Sequence, residues 1–234
     1  MEKNIIAHQI KGIKSGYYQR IDLAWNTFLS KPERKYYLII KNIMDYFVAL
    51  IAIIILMPIF ILIPIIIKID SEGPALFKQK RIGKNCKPFY IYKFRTMIKD
   101  AHTKQIELQN INEMQGGKLF KSNNDPRITR IGKFLRKYSL DELPQLFNIL
   151  QGEMSIIGPR PLSTPISAYE KYQLKRFIIK PGLGCIWQAY YRDETNFTKW
   201  MKTDLLYVKK ISLLFDIKIF LLVAKIVILG KGAR

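Results

Sequence analysis

Cysteine is nearly absent. Cys86 and Cys185 are the only two in 234 residues, far apart and outside any paired-Cys or Cys/His spacing, which argues against a secreted disulfide scaffold and against a zinc site. A reducing, cytosol-facing location fits. Acidic residues are also scarce: 18 Asp and Glu stand against 39 Lys and Arg, for a formal net charge of +21. Such a balance favours anionic partners, whether acidic lipid headgroups, phosphorylated metabolites or nucleic acid. Internal repeats, low-complexity tracts and recognised RNA- or DNA-binding motifs are missing too. No secretory signal is read, because about 45 mostly polar residues precede the first hydrophobic run and no small-residue cleavage site follows it.

Apolar residues make up 49% of the chain, so it is no disordered basic tail, and its length suffices for a buried core without disulfides or metals. The decisive segment is Tyr46 to Ile67, 22 residues without a charge, about 33 Å as a straight helix. Two features count against a simple span. Pro58 removes a backbone hydrogen bond near the middle and predicts a kink, and Pro64 weakens the second half. Both flanks are basic, with Lys31, Arg34, Lys35 and Lys41 before and Lys68, Lys78, Lys80, Arg81, Lys84 and Lys87 after. The positive-inside rule then places both ends in the cytoplasm, as a bent, re-entrant segment would. An ordinary spanning helix with a tolerated proline is the alternative.

Residues 1–40 read as a polar arm with one helix from Tyr17 to Leu29, residues 41–70 as the membrane segment, and residues 71–234 as the catalytic part. Alternation in ALFKQKRIG and PFYIYKFRTM predicts a β-hairpin turning near Gly83 to Pro88. Residues 98–124 read as a helix and a polar loop. Ile128 to Leu135 and Leu143 to Leu150 read as helices, the second with Leu143, Leu146, Phe147 and Leu150 on one face; a Pro/Gly-rich region follows from Gly158 to Gly184. In the C-terminal run ISLLFDIKIFLLVAKIVILG, Asp216, Lys218 and Lys225 interrupt the hydrophobicity. Lys218 and Lys225 share a helical face, which fits an interfacial helix with snorkelling lysines; a buried core helix is the alternative. The fold class expected is α+β and membrane-associated, a small hairpin with a mostly helical catalytic domain.

Chemistry points to Ser139-Leu140-Asp141-Glu142-Leu143-Pro144. Ser139 with Glu142 three residues on makes a capping box, and Asp141 itself is an alternative N-cap because Pro144 belongs in a first helical turn. On either reading Asp141 lies at a helix N-terminus, where a phosphate could sit beside it. Arg127, Arg130, Lys133, Arg136 and Lys137 precede the pair. Arg160, between Pro159 and Pro161, has a stiffened backbone and presents its fork at little ordering cost.

The Pro-broken hydrophobic segment, FKQKRIG, FYIYKFRTM, NDPRITRIGKFLRKYSLDELPQLFNILQGEMSIIGPRPL, KPGLG and SLLFDIKIFLLVAKIVILGKGA together resemble the bacterial sugar transferase family, the monotopic polyprenyl-phosphate phosphoglycosyl transferases. The resemblance runs from about Lys41 to Ala233. It implies transfer of a sugar-1-phosphate from a UDP-sugar to undecaprenyl phosphate, with release of UMP, at the start of surface polysaccharide or glycan assembly. It further implies Asp141 as the nucleophile forming a phosphosugar adduct, and Glu142 as the ligand of Mg²⁺ or Mn²⁺. Arg136 and Arg160 would contact substrate phosphates, with Lys93, Arg95, Arg127 and Gln188 as further substrate-binding residues. Pro58 stands where the family bends its membrane helix, although Met57 replaces the serine often found before it. The implied location is the bacterial inner membrane, with the catalytic domain facing the cytoplasm among membrane lipids and downstream glycosyltransferases as partners, and no nucleic acid.

One stretch departs from the pattern. Where hexose-transferring members continue from KPG with TGLWQV, this chain has Cys185-Ile186-Trp187-Gln188-Ala189-Tyr190-Tyr191-Arg192-Asp193. Trp187, Gln188 and Asp204 are candidate pocket residues, Trp187 with core packing as its alternative. The C-terminal pattern is closer to the hexose-transferring branch, which puts glucose or galactose ahead of N-acetylated amino sugars. Two readings from other classes predict different behaviour: a membrane-anchored polyanion or nucleic-acid binder, and a scaffold in which Asp141 and Glu142 only cap a helix.

Overall fold

The computed structural model describes residues 28, 31–101, 103, 112, 122, 125–192 and 194–230. Apart from Phe28, the expected Tyr17 to Leu29 helix lies outside them, as does most of the 98–124 stretch.

The first long element, α1 (Pro32–Ile55), opens with proline at its first turn, where the missing N–H costs nothing, and residues 32–40 are helical. Leu56 breaks the helix, and α2 (Met57–Asp70) starts with Pro58 in its first turn and carries Pro64 inside. The proline thus ends one helix and begins another. By length and composition α1 could cross a membrane; α2 has 14 residues.

Both helices lay one face on the rest of the chain. Ala49 and Ile53 of α1 pack with Phe89, Ile91, Leu146, Ile149 and Met154. Ile63 and Ile67 of α2 pack with Ala75, Phe94 and Leu135. Phe60 sits between the Phe94 and Phe147 rings, with centroids 5.9 and 5.5 Å away. The remaining faces of α1 and α2 expose Ile, Phe and Leu side chains outward, an apolar surface of the kind that marks membrane association.

The hairpin forms as the alternation predicts. β1 (Leu76–Ile82) pairs antiparallel with β2 (Pro88–Phe94), Arg81 opposite Phe89 and Phe77 opposite Lys93. Helix α3 (Arg130–Lys137) is capped by Thr129, whose hydroxyl accepts from Gly132 N at 3.0 Å. Gly132 is required there, since any Cβ would collide with the Thr96 carbonyl. A 3₁₀ turn, Leu140–Glu142, leads to α4 (Gln145–Leu150).

Two short strands, β3 (Ser155–Ile157) and β4 (Gly182–Gly184), pair in parallel across the Pro/Gly-rich region, a pairing the sequence patterning did not predict. Gly158 and Gly182 approach so closely that a Cβ on either would strike the other strand's backbone. Helices α5 (Ile186–Tyr190), α6 (Phe197–Lys210) and α7 (Leu213–Ile228) complete the chain. Trp187 stacks on Trp200 at 4.6 Å inside the largest core cluster, so its role is packing.

Helix α7 is no core helix. Leu214 and Leu221 are 81% and 61% exposed, and Lys218 and Lys225 face outward, as the interfacial reading expects. Its Asp216, however, is buried. Asp216 pairs with Lys41 of α1 at 2.5 Å and accepts from the Tyr37 hydroxyl at 2.6 Å, with the Tyr207 hydroxyl 2.7 Å away. One turn on, Asp45 accepts from Ser155 Oγ at 2.6 Å and Ile156 N at 3.1 Å. A buried polar cluster therefore ties α1 to α7 and to β3.

Candidate active site

Asp141 and Glu142 are buried in the 3₁₀ turn. Neither acts as a helix cap. Ser139, in the left-handed region at φ 52°, makes no side-chain cap, and α4 begins only at Gln145, its N-cap Pro144 offering no side-chain oxygen. This corrects both the capping-box and the Asp141 N-cap expectations: the residue that would start the helix is spent on a left-handed turn, which costs about 1 kcal/mol or more and needs outside support. Arg192 supplies it, donating to Ser139 Oγ at 2.9 Å and Arg136 O at 3.3 Å.

Glu142 is held on every side. Lys93 Nζ donates to Oε1 at 2.7 Å, Arg160 Nη1 to Oε2 at 3.1 Å and Arg160 Nη2 to Oε1, and Gln188 Nε2 to Oε2 at 3.3 Å. Burial alone would raise its pKa, but the Arg160 and Lys93 charges outweigh it and hold the carboxyl well below the usual range. Asp141 is treated differently. Its carboxylate accepts no hydrogen bond among the described residues and lies 3.6 Å from Lys93 Nζ. Burial pushes its pKa up; Lys93 opposes that, and the neighbouring Glu142 charge adds to it. Two adjacent carboxylates are thus made unlike, one locked and ionised, the other desolvated and left open.

Arg136 donates from Nε to Thr96 Oγ1 at 2.9 Å, with Asp141 and Asp125 acting on it as opposite charges. Thr96 is a support the sequence did not single out. Arg160 is anchored from behind, because Arg176 donates to its carbonyl, to Asp204 Oδ2 at 3.0 Å and to the Tyr169 hydroxyl at 3.1 Å. Asp204 is accordingly no pocket residue. It is a buried brace, pushed up to about 6 by burial against the pull of Arg176.

The structure therefore gathers Asp141, Glu142, Lys93, Arg136, Arg160 and Gln188. Two expected substrate contacts are placed elsewhere. Arg95 donates to Ser71 O at 2.5 Å, Ser71 Oγ at 3.0 Å and Ile67 O at 3.4 Å, closing the C-terminal end of α2. Arg127 makes a two-point pair with Asp125 at 2.8 and 2.6 Å and donates to Ala101 O. Both are drawn to nearby backbone or carboxylate acceptors that periodicity cannot reveal.

The metal expectation meets a geometric objection. Both oxygens of Glu142 are taken by cationic and amide donors, and no group of three or more His, Cys, Asp or Glu that could hold a metal occurs among the described residues. As arranged, Glu142 does not fit the part of a magnesium ligand.

Fold and site together define a membrane-associated α+β protein whose buried carboxylate pair is ringed by basic side chains. The bacterial sugar transferase profile matches residues 36–230, and the chain belongs to that family. It is 42% identical over 212 residues to a galactosyl transferase of Streptococcus agalactiae, covering 89% of this chain and 46% of that one. It is 36% identical over 205 residues to a UDP-N-acetylgalactosamine-undecaprenyl-phosphate N-acetylgalactosaminephosphotransferase of Aeromonas hydrophila, covering 85% and 46%. An exopolysaccharide production protein of Rhizobium leguminosarum is 37% identical over 208 residues, covering 83% of this chain and 98% of its own length. The chain spans about half the length of the first two relatives.

Proposed function

We propose that the protein transfers a sugar-1-phosphate from a UDP-sugar to undecaprenyl phosphate and so starts the assembly of a surface polysaccharide or glycan. The observation that carries this is the Asp141 carboxylate: buried, without a hydrogen-bond donor among the described residues, beside Lys93, and next to a Glu142 that is fully engaged. A desolvated carboxylate is a stronger nucleophile than a solvated one, and the surrounding cations offset the charge of an incoming diphosphate.

In the first step an Asp141 oxygen attacks the sugar-bearing β-phosphorus of the donor. The bond from that phosphorus to the bridging oxygen breaks, and UMP leaves with the electron pair. In the second step a phosphate oxygen of the polyprenyl acceptor attacks the same phosphorus, the bond to Asp141 breaks, and the carboxylate is restored. Arg160 and Lys93, fixed by Glu142, and Arg136, fixed by Thr96, are placed to hold phosphate oxygens throughout. A Mg²⁺ or Mn²⁺ requirement is proposed on the strength of the resemblance alone.

The topology proposed is re-entrant, with residues 71–234 on the cytoplasmic side of the inner membrane. Supporting it, side chains on both sides of the Leu56 break pack on one and the same body: Ala49 and Ile53 before it, Ile63 and Ile67 after it. Lys41 is bonded to Asp216 near one end of the segment and Ser71 to Arg95 near the other. A straight helix across a bilayer would carry those two ends about 45 Å apart on opposite sides. The polyprenyl phosphate and UDP-sugars meet at the cytoplasmic interface.

The test is UMP release by the purified chain with a panel of UDP-sugars and undecaprenyl phosphate, with a search for a phosphosugar adduct on Asp141 when the acceptor is withheld. Release with at least one donor, and adduct without acceptor, are expected. Turnover with no adduct and with sequential kinetics would exclude the covalent route; absence of UMP release with every donor would exclude the function.

A further inference from the structure

Arg81 lies on the hairpin face that leads to the dyad and takes no part in the two transfer steps. Residues directly opposite each other in an antiparallel pair share a face, so Phe77, Gln79 and Arg81 of β1 lie on the same face of the hairpin as Phe89, Ile91 and Lys93 of β2. Phe89 and Ile91 are buried, which makes this the inward face, and Lys93 uses it to reach Glu142. Arg81 stands four residues further along, about 13 Å at the usual rise per residue. The strand end that carries it, at Ile82 and Gly83, lines a small cavity together with Pro159, Arg160, Arg176 and Phe177.

Arg81 differs from the other arginines around the dyad in what it lacks. Arg160 is paired with Glu142, Arg176 with Asp204, and Arg136 is bonded to Thr96. Arg81 Nη2 donates to the neutral Gln79 amide oxygen, no carboxylate pairs with it among the described residues, and its buried Nε makes no hydrogen bond. Burial, and then repulsion from Arg160, lower its pKa to about 10, with Tyr169 and Glu142 pulling the other way. A half-buried arginine that feels the repulsion of a second guanidinium and keeps a buried Nε without a partner is costly to the folded protein unless an anion completes it.

We infer that Arg81 is a phosphate-binding residue of the active site, acting together with Arg160, whose guanidinium and the Lys93 ammonium already meet at Glu142. The inference rests on the proposed phosphoryl-transfer reading, and the ligand chemistry is a phosphate oxygen. Two substrates carry one, the UDP-sugar diphosphate and the lipid acceptor's phosphate.

The experiment compares the full chain with Arg81→Met and Arg81→Lys, reading thermal stability, binding of UDP and of detergent-solubilised polyprenyl phosphate, and the two half-reactions. Because the methionine removes a half-buried charge with no carboxylate partner among the described residues, Tm should hold or rise, while affinity for one of the two ligands falls about tenfold or more, the scale for hydrogen bonds to charged groups. Weakened UDP binding with slowed UMP release assigns Arg81 to the donor. Normal adduct formation with weakened acceptor binding and slowed lipid product assigns it to the acceptor. Arg81→Lys should recover only part of the loss, since the planar fork is gone. Unchanged binding of both ligands overturns the inference, and so does a lowered Tm that accounts for the loss of binding, as a structural role requires. The binding arms also separate the two claims: failure of the wild-type chain to release UMP counts against the transferase reading, whereas equal ligand affinity in wild type and variants counts against Arg81.

Discussion

Replacing Asp216 by Asn tests whether the N-terminal helix is locked to the C-terminal helix by charge. The Lys41 and Asp216 side chains are 8% and 10% exposed at 2.5 Å separation. Removing one partner of a buried pair costs about 3–5 kcal/mol, mostly the penalty of stranding the other charge. Asp45 stays 3.6 Å from Lys41 Nζ and Asn keeps an oxygen for one of the two tyrosines, so the lower end, about 3 kcal/mol, is expected. For a chain of this size that is a Tm loss of about 6–12 °C. Thermal unfolding of the full chain in detergent micelles, followed by circular dichroism, measures it. Lys41→Met combined with Asp216→Asn removes both charges while keeping a hydrogen-bond acceptor for the tyrosines, and should recover most of the loss. A single variant that loses less than about 1 kcal/mol, or a double variant no better than the single, would show that apolar packing and not the ion pair holds the two helices.

Asp141→Asn should abolish adduct formation and cut turnover at least about a hundredfold, without loss of Tm, because the side chain caps no helix; residual activity above that level would remove the covalent role. Arg160→Lys keeps the charge but loses the two-point grip on Glu142, and a loss of about 1.5–3 kcal/mol in transition-state stabilisation, roughly 10- to 150-fold in rate, should appear in kcat/KM; wild-type rates would show that the planar fork of Arg160 is not needed for the reaction. Burial pushes both thiols, Cys86 and Cys185, up to about 12, so neither should be alkylated in the folded protein at pH 8, while both react after denaturation; rapid labelling of either would contradict its burial. Single cysteines replacing Lys31 and Lys87 in a background lacking Cys86 and Cys185 should both be shielded from an impermeant reagent in intact cells and labelled after permeabilisation; external labelling at position 31 would refute the re-entrant topology.

Much of this protein is legible in its residue order because the signals are local. A 22-residue uncharged run, a proline in its middle, alternating strands on either side of a short turn, and an acidic pair after a basic helix each follow from neighbours along the chain, and the family resemblance rests on the same stretches. The hairpin, the helix break near Pro58 and the separation of Trp187 into the core were all within reach of such reasoning.

What residue order could not decide is which charge meets which. Arg95 and Arg127 look as fit for substrate as Arg136 and Arg160 do, yet one closes α2 and the other pairs with Asp125. Asp216 looks like a blemish in a greasy helix and is the partner of Lys41, 175 residues away. Asp141 and Glu142 are chemically near-equivalent neighbours, and only tertiary contacts make them different, by giving Glu142 the Lys93, Arg160 and Gln188 donors and leaving Asp141 buried, with Lys93 at 3.6 Å and no hydrogen bond among the described residues. The physical reason is the range of the forces: propensity and hydrophobic periodicity act within a few residues, whereas the state of a buried charge is set by groups brought from distant parts of the chain, and those positions exist only once the backbone has folded.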